Sequence, residues 1–165
     1  MAIDVYLHIE GIKGEFADST HSGRIEIMSV QWSAKQPLIS AGSGVGGRTA
    51  GRSEYCGMSL AKSSDLASPA LMQHCANGKT IPKAKLEFMR ADGDKRVNYS
   101  EVELENVMIA DMEQMATEGM LLLDHVSLQF SEIKWKNSQQ RIGGVVGQTA
   151  DGWGLSCNKS CAYPE

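Results

Sequence analysis

Residues 83–105 read KAKLEFMRADGDKRVNYSEVELE, and this stretch sets the fold class. Ala84, Leu86 and Phe88 alternate with charged residues, which is the period-two pattern of a strand that buries one face. Ala91-Asp92-Gly93-Asp94 follows, and the Asp-Gly pair supplies the positive φ that a tight hairpin turn requires. The stretch therefore predicts two antiparallel strands joined by a short turn.

The strand after this turn changes its phase. Val102 and Leu104 are its apolar positions at first, and Val107 and Ile109 then continue on the other parity. Such a slip predicts a long strand with a kink. The acidic residues between the first apolar positions are interpreted as a solvated strand face: Glu101, Glu103 and Glu105.

Four further stretches show the same alternation. Residues 3–9 predict a first strand, residues 25–32 a second that slips in phase at Met28, and residues 54–60 a third. Residues 126–135 alternate in two successive phases. Because bulges bend strands around the corners of small barrels, the repeated slips favour a closed or nearly closed barrel.

One helix is predicted. Ser68 is expected to cap it and Pro69 to occupy its first turn, ahead of residues 70–76, and Gly78 is expected to end it. The whole pattern predicts a mainly β, single-domain antiparallel β-barrel of two packed sheets, with one short flanking α-helix and a long extended loop.

Size and charge exclude several function classes. The chain has 165 residues and 17.9 kDa, of which 42% are hydrophobic, so a single domain over residues 1–165 is expected. A net charge of −4 argues against a nucleic-acid partner, and no apolar stretch approaches the roughly 20 residues that insertion into a membrane needs. The N-terminus lacks the features of a signal peptide, so export by that route is not expected.

The chain has seventeen glycines, and eleven of them lie in two clusters, residues 42–57 and 143–154. Gly42–Thr49 satisfies G-x-G-x-x-G, but Arg48 stands where a phosphate loop needs lysine and no helical pattern follows. A long surface loop is therefore favoured over a nucleotide-binding enzyme, which remains the weaker alternative. The second cluster is interpreted as a flexible approach to a strand at Trp153.

The remaining candidate residues do not form a recognisable catalytic or metal site. The cysteines lack zinc-site spacing, so free or buried thiols are favoured, and a disulfide between Cys157 and Cys161 stays open for an oxidising medium. The histidines and serines match no hydrolase motif, and neither a cofactor nor a metal is expected. A methionine-rich stretch is interpreted as core in preference to a contact surface: Met108, Met112, Met115 and Met120.

Taken together, several segments in order along the chain resemble the Hcp family, the haemolysin-coregulated proteins of bacterial type VI secretion. The segments are residues 14–32, 42–47, 68–72, 78–86 and 126–130, with Gly152-Trp153 and Asn158-Lys159 fitting a C-terminal strand. Two features depart from the resemblance, namely the acidic, methionine-rich residues 111–119 and the tail that carries Cys157 and Cys161.

The resemblance implies a structural protein and no enzyme. Six copies would close into a ring, and rings would stack into an inner tube that a contractile sheath expels, with a spike protein at the tip and small effector proteins in the lumen. The protein would reside in the bacterial cytoplasm before firing and then be secreted without a signal peptide. Residues 37–53 resemble the loop that reaches the adjacent ring, and we expect Leu38, Arg48 and Arg52 to make that contact.

The open alternative in a different class is an adaptor that carries effectors and never polymerises. The sequence does not name the cargo or the target cell, and it does not distinguish a principal tube subunit from a specialised paralogue. The stability of the hexamer in dilute solution is likewise undetermined.

Overall fold

The computed structural model describes residues 3–17, 20–39, 49–93, 95–141 and 144–164. Within these ranges the chain forms twelve strands and one helix. Their bounds are β1 Ile3–Ile9, β2 Ile25–Ile27, β3 Ser29–Lys35, β4 Leu38–Ile39, β5 Thr49–Ala50, β6 Glu54–Ser63, α1 Ser68–Asn77, β7 Ile81–Asp92, β8 Lys95–Met115, β9 Leu123–Gln129, β10 Glu132–Arg141, β11 Gly144–Gly154 and β12 Lys159–Ser160.

The strands form two antiparallel sheets that share one strand. The first sheet has the order β12-β11-β10-β8-β7-β1-β2, and the second has the order β3-β6-β9-β8. The short strands β4 and β5 pair only with each other in the described residues. The predicted class, mainly β and antiparallel with one short helix, is confirmed.

Two corners carry the chain from one sheet to the other. Strand β8 pairs with β10 as far as Glu105 and with β9 from Met108, and between them Asn106 has φ +51°. The predicted kink lies at this residue. At the second corner Met28 separates β2 from β3, and its N–H donates to Ala61 O at 2.8 Å. Strands β2, β3 and β12 each pair on one side only in the described residues, and there no strand pairing closes the barrel.

The core lies between the two sheets and takes the residues that the alternation predicts. Buried apolar side chains alternate along β1, β2, β6, β7, β8 and β9, β10 adds Ile133, and helix α1 adds Leu71. The most deeply buried side chains include Leu7, Ile9, Ile25, Leu86, Leu104, Ile109, Leu128 and Ile133. Burial of these groups is the main stabilising contribution to the fold.

Helix α1 ends as predicted but does not begin as predicted. Gly78 adopts φ +64° and ends the helix, because this left-handed conformation is easily reached only without a Cβ. Ala67 occupies the N-cap position and makes no side-chain cap, so the expected cap at Ser68 is wrong. The Ser68 hydroxyl instead donates to Asp124 and accepts from Lys62 Nζ at 2.9 Å. The hydroxyl that the sequence predicts as the helix cap therefore hydrogen-bonds to two buried charged side chains.

The hairpin between β7 and β8 confirms the turn prediction. Asp92 pairs with Lys95, and Gly93 adopts φ +61°. Asp94, the fourth residue of the predicted turn, lies outside the described residues.

The acidic strand face is not simply solvated. Glu87, Glu103 and Lys134 are each less than 9% exposed. On the outer side of the first sheet, acidic and basic side chains from β7, β8 and β10 alternate across the strands and form ion pairs. This charged face consists of Lys83, Lys85, Glu87, Glu101, Glu103, Glu105 and Lys134. These charged side chains pack closely because they form ion pairs with one another. The partners lie on neighbouring strands, so the sequence pattern of one strand does not predict the pairing.

The methionine-rich stretch also differs from its prediction. Met112 is buried, whereas Met108, Met115 and Met120 are 42%, 45% and 65% exposed. The predicted burial in the core is therefore wrong for three of these four methionines.

All four cysteines are free thiols. Within the described part of the chain, no helix has the length and apolar character needed to cross a bilayer.

Candidate assembly surface: the arm and its anchor

The extended segment between β3 and β6, residues 36–53, is here called the arm. Its base is a narrow hairpin in which Leu38 pairs with Ala50 and the N–H of Gly51 donates to Pro37 O at 3.0 Å. A Cβ on Gly51 would lie 3.1 Å from the ring of Pro37, so the absence of a side chain lets the two chains approach this closely. The base of the arm is thereby a defined structure and not an open loop.

Contacts with the other end of the sequence anchor the arm. The guanidinium of Arg52 donates to Leu155 O and, at 3.1 Å, to Ser156 O. The next residue, Ser53, donates from its hydroxyl to Asn158 Oδ1 at 3.3 Å. These partners belong to the turn between β11 and β12, residues 155–158, which is here called the anchor turn.

The geometry of the anchor turn depends on the second glycine cluster. Asn158 adopts φ +51°, and a Cβ on Gly154 would lie 2.7 Å from Cys157 Sγ. Likewise a Cβ on Gly152 would lie 2.9 Å from Cys161 Sγ. The segment expected to be a flexible approach is instead a strand, because residues 144–154 pair with β10 through one register shift, and Gly152 and Gly154 leave space for the thiols of Cys161 and Cys157.

The thiol of Cys161 lies in a setting that disfavours its ionised form. Burial raises its pKa, and the nearby carboxylate of Glu132 raises it further. A protonated thiol is a poor nucleophile and a poor metal ligand. Among the described residues, no three or more His, Cys, Asp or Glu side chains are grouped so that they could hold a metal ion.

The three predicted contact residues have different surroundings. Leu38 is 59% exposed on the arm, as an apolar contact residue requires. Arg52 is engaged with its own chain through the anchor turn. Arg48 and the Gly42–Gly47 cluster lie outside the described residues. The anchor turn itself was missed, because its contacts join residues 103 or more positions apart and leave no local signal.

The C-terminal tail covers part of the charged face. Tyr163 donates from its hydroxyl to Glu101 at 2.7 Å, and the ammonium of Lys136 lies 5.8 Å from the centre of the Tyr163 ring. Burial and then the hydrogen bond to Glu101 raise the pKa of Tyr163 well above its ordinary value. Burial opposes ionisation of Glu101, but hydrogen bonds from Tyr163 and Lys85 outweigh it and lower the pKa of that carboxyl.

A second pair stabilises the same face. Lys134 Nζ donates to Glu105 Oε1 at 2.6 Å. This bond lowers the pKa of Glu105 and raises that of Lys134, so both groups keep their charge. The charges of this face are therefore paired within the chain, whereas the apolar side chain of Leu38 at the base of the arm is exposed.

Comparison with known proteins now identifies the fold. A family model described as "Type VI secretion system effector, Hcp" matches residues 6–137. Protein hcp1 of Pseudomonas aeruginosa is 30% identical over 161 residues, which is 96% of this chain and 98% of that protein.

Solved structures agree. Hcp1 from Salmonella typhimurium superposes with a TM-score of 0.80 at 27% identity, covering 98% of this chain and 100% of that one. A structure described as a type six secretion system protein gives a TM-score of 0.89 at 25% identity, covering 97% and 100%. The chain therefore belongs to the Hcp family, whose members are secreted structural proteins of the type VI secretion tube and not enzymes.

Proposed function

We propose that this protein is a subunit of the inner tube of a type VI secretion system. Six copies close into a ring, rings stack head to tail, and the arm of each copy contacts the adjacent ring. The observation that carries the proposal is the exposed apolar side chain of Leu38 on the paired base of the arm, in a chain of the Hcp family.

The arm residues divide into two roles in this proposal. Leu38 and Arg48 contact the neighbouring ring, whereas Arg52 acts at the base, where its bonds to the anchor turn fix the direction of the arm. A contact between two different surfaces of identical copies is heterologous, and such contacts either close into rings or continue as filaments. A tube of rings needs one contact of each kind.

The proposal extends to the partners and the route of the protein. A contractile sheath surrounds the tube and a spike protein caps it, small effector proteins occupy the lumen, and the assembly leaves the cytoplasm without a signal peptide. We also propose that residues 1–165 fold as a single domain, which is supported by the shared strand β8 and by one core between the two sheets.

Native mass spectrometry of the purified protein tests the proposal most directly. The expected species has six times the mass of the 17.9 kDa chain. A monomer that persists at high protein concentration would contradict the ring and favour the adaptor that carries effectors without polymerising.

Electron microscopy of an arm deletion tests the role of the arm. Removal of residues 40–52 is expected to leave hexameric rings and to shorten their stacks, because the deletion removes the projecting contact and its anchor. A matched control deletes the tail residues 162–164, which lie outside the arm. Stacks of unchanged length in the arm deletion would contradict this role.

A further inference from the structure

The second sheet ends in a group of exposed apolar side chains. Strands β6, β9 and β8 end in one row, where Leu123 pairs with both Ser63 and Met115. Beyond this row the N–H of Ser64 donates to Leu122 O at 2.9 Å, which joins the two connecting segments. The side chains are 38% to 76% exposed, and we call this group the apolar end: Met28, Leu66, Met115, Met120, Leu121 and Leu122.

The apolar end is acidic at its margin. Asp111 and Glu113 share the outward parity of β8 with Met115, and Glu118 lies in the turn that follows. All three carboxylates are exposed. No lysine or arginine occurs from residue 97 to residue 133, so the local charge is negative without compensation from this part of the chain.

The base of the arm has the opposite character. Residues 27–54 carry Lys35, Arg48 and Arg52 against one carboxylate, Glu54, which is the cross-strand partner of Lys35, so this stretch keeps a net positive charge. Lys35 and Leu38 are both exposed. The arm thus combines an apolar residue with positive charge, whereas the apolar end combines apolar residues with negative charge.

Strand register places these two surfaces at opposite ends of the second sheet. Ser29 pairs with Ala61 near the apolar end, and Lys35 pairs with Glu54 at the base of the arm. At about 3.3 Å per residue, the two ends lie roughly 20 Å apart along β3. They therefore lie at opposite ends of this sheet in one molecule, which suits a head-to-tail contact between copies.

We propose that the apolar end receives the arm base of a second copy of this chain. Leu38 packs among the exposed leucines and methionines, and Lys35 lies opposite the carboxylates of Glu113 and Glu118. Methionine suits this role because its flexible thioether adapts to a neighbouring surface. The inference rests on the proposed function, since it names the receiving surface for the arm of an adjacent copy.

Charge reversal tests the pairing. Lys35→Glu and Glu118→Lys are each expected to weaken stacking by about threefold or more at low salt, because each places like charges in contact. The double variant Lys35→Glu with Glu118→Lys is expected to restore stacking. Stack length is read by electron microscopy and sedimentation, and hexamer content by native mass spectrometry. Glu10→Lys is the matched control, because Glu10 is an exposed carboxylate that directly follows β1, at the end of that strand that lies away from Met28.

Apolar substitutions give an independent test. Leu121→Ser and Leu38→Ser are expected to shorten stacks to a similar extent, and their combination to add little to either alone, because both remove the same contact. Thermal unfolding verifies that each variant folds, and Met120→Ser replaces Leu121→Ser if that variant does not.

The outcomes separate this inference from the function on which it rests. Absence of hexamers in the unmodified protein would defeat the proposed function. Hexamers and stacks that tolerate Glu118→Lys, or single reversals that the double variant does not rescue, would overturn the pairing alone. If Glu118→Lys abolishes the hexameric rings themselves, the apolar end belongs to the contact that closes the ring. That result would also overturn the pairing with the arm.

Discussion

The charged face of the first sheet and the apolar end of the second sheet both lie on the surface of the protein. Side chains of the same chain pair with the groups of the charged face, whereas the apolar end stays exposed. On the charged face each acidic group meets a lysine or arginine within the chain, and the tail adds Tyr163. At the apolar end, large side chains remain up to 76% exposed. The charged groups of the first sheet are thus paired within the subunit. The exposed apolar side chains of the second sheet form the surface that we expect to contact another copy.

The largest effect is expected where buried charges are paired. Asp124 is fully buried and accepts hydrogen bonds from Ser68, Lys62 and Gln114. Asp124→Ala should lower the free energy of unfolding by about 3 kcal/mol, because it removes one of the two carboxylates, Asp124 and Asp65, that compensate the buried ammonium of Lys62. Denaturant titration measures the change, and Asp124→Asn, which keeps the shape, should cost less. A loss below about 1 kcal/mol would show that this buried pair matters little.

The next effect concerns the charged face and depends on pH. The hydrogen bond from Lys134 lowers the pKa of Glu105 from its ordinary value of 4.5. A carboxyl whose pKa is lower in the folded state stabilises the protein above pH 4.5 and loses that contribution as the pH falls further. Glu105→Gln should therefore cost roughly 1 kcal/mol at pH 7 and show a shallower loss of stability between pH 5 and pH 3. Parallel pH profiles for both proteins would contradict this.

A smaller effect is expected at the anchor of the arm. Arg52→Ala removes the bonds to Leu155 O and Ser156 O and should cost about 1 kcal/mol or less, since these bonds are exposed to solvent. Both bonds are donated by Nη2 at the end of the long arginine side chain, so Arg52→Lys, which keeps the charge on a shorter side chain, should restore only part of the loss. Calorimetry of the dissociated chain measures both. Full rescue by lysine would mean that charge alone anchors the arm.

The smallest effect on the subunit is expected at the apolar end. Leu121 is 76% exposed, so Leu121→Ser should change the free energy of unfolding of the dissociated chain by no more than about 0.5 kcal/mol. The buried Leu128→Ser is the contrasting control and should cost several kcal/mol. Denaturant titration at concentrations that dissociate the assembly distinguishes them. A large loss at Leu121 would place this residue in the fold of the subunit and break the contrast between the two surfaces.

Strands, turn and helix end were predictable because their signals are local. Alternation at Leu86, Phe88 and Leu104 follows from the pleat of a strand, and Gly78 and Gly93 adopt the positive φ that their positions require. The kink at Asn106 was visible as a phase slip. Such features depend on residues within a few positions of one another, so they can be predicted from the sequence.

The candidate site was predictable only in part. Exposure of Leu38 agrees with the expected role of the arm, but nothing local to Arg52 indicates a bond to residues 155 and 156. The exposed methionines were misread, because apolar character predicts burial without stating whether the chain or a second copy provides it.

Local periodicity in this sequence thus specifies a mainly β protein with one helix, and the order of its motifs specifies the Hcp family. Folding in three dimensions selects the rest: Ser68 bonds to buried charges in place of capping its helix, and Arg52 fastens the arm to the anchor turn. These hydrogen bonds join residues that are far apart in the sequence. A buried charge or an exposed carbonyl gains a partner only after the sheets have packed, so the energetics that settle them are absent from any short segment.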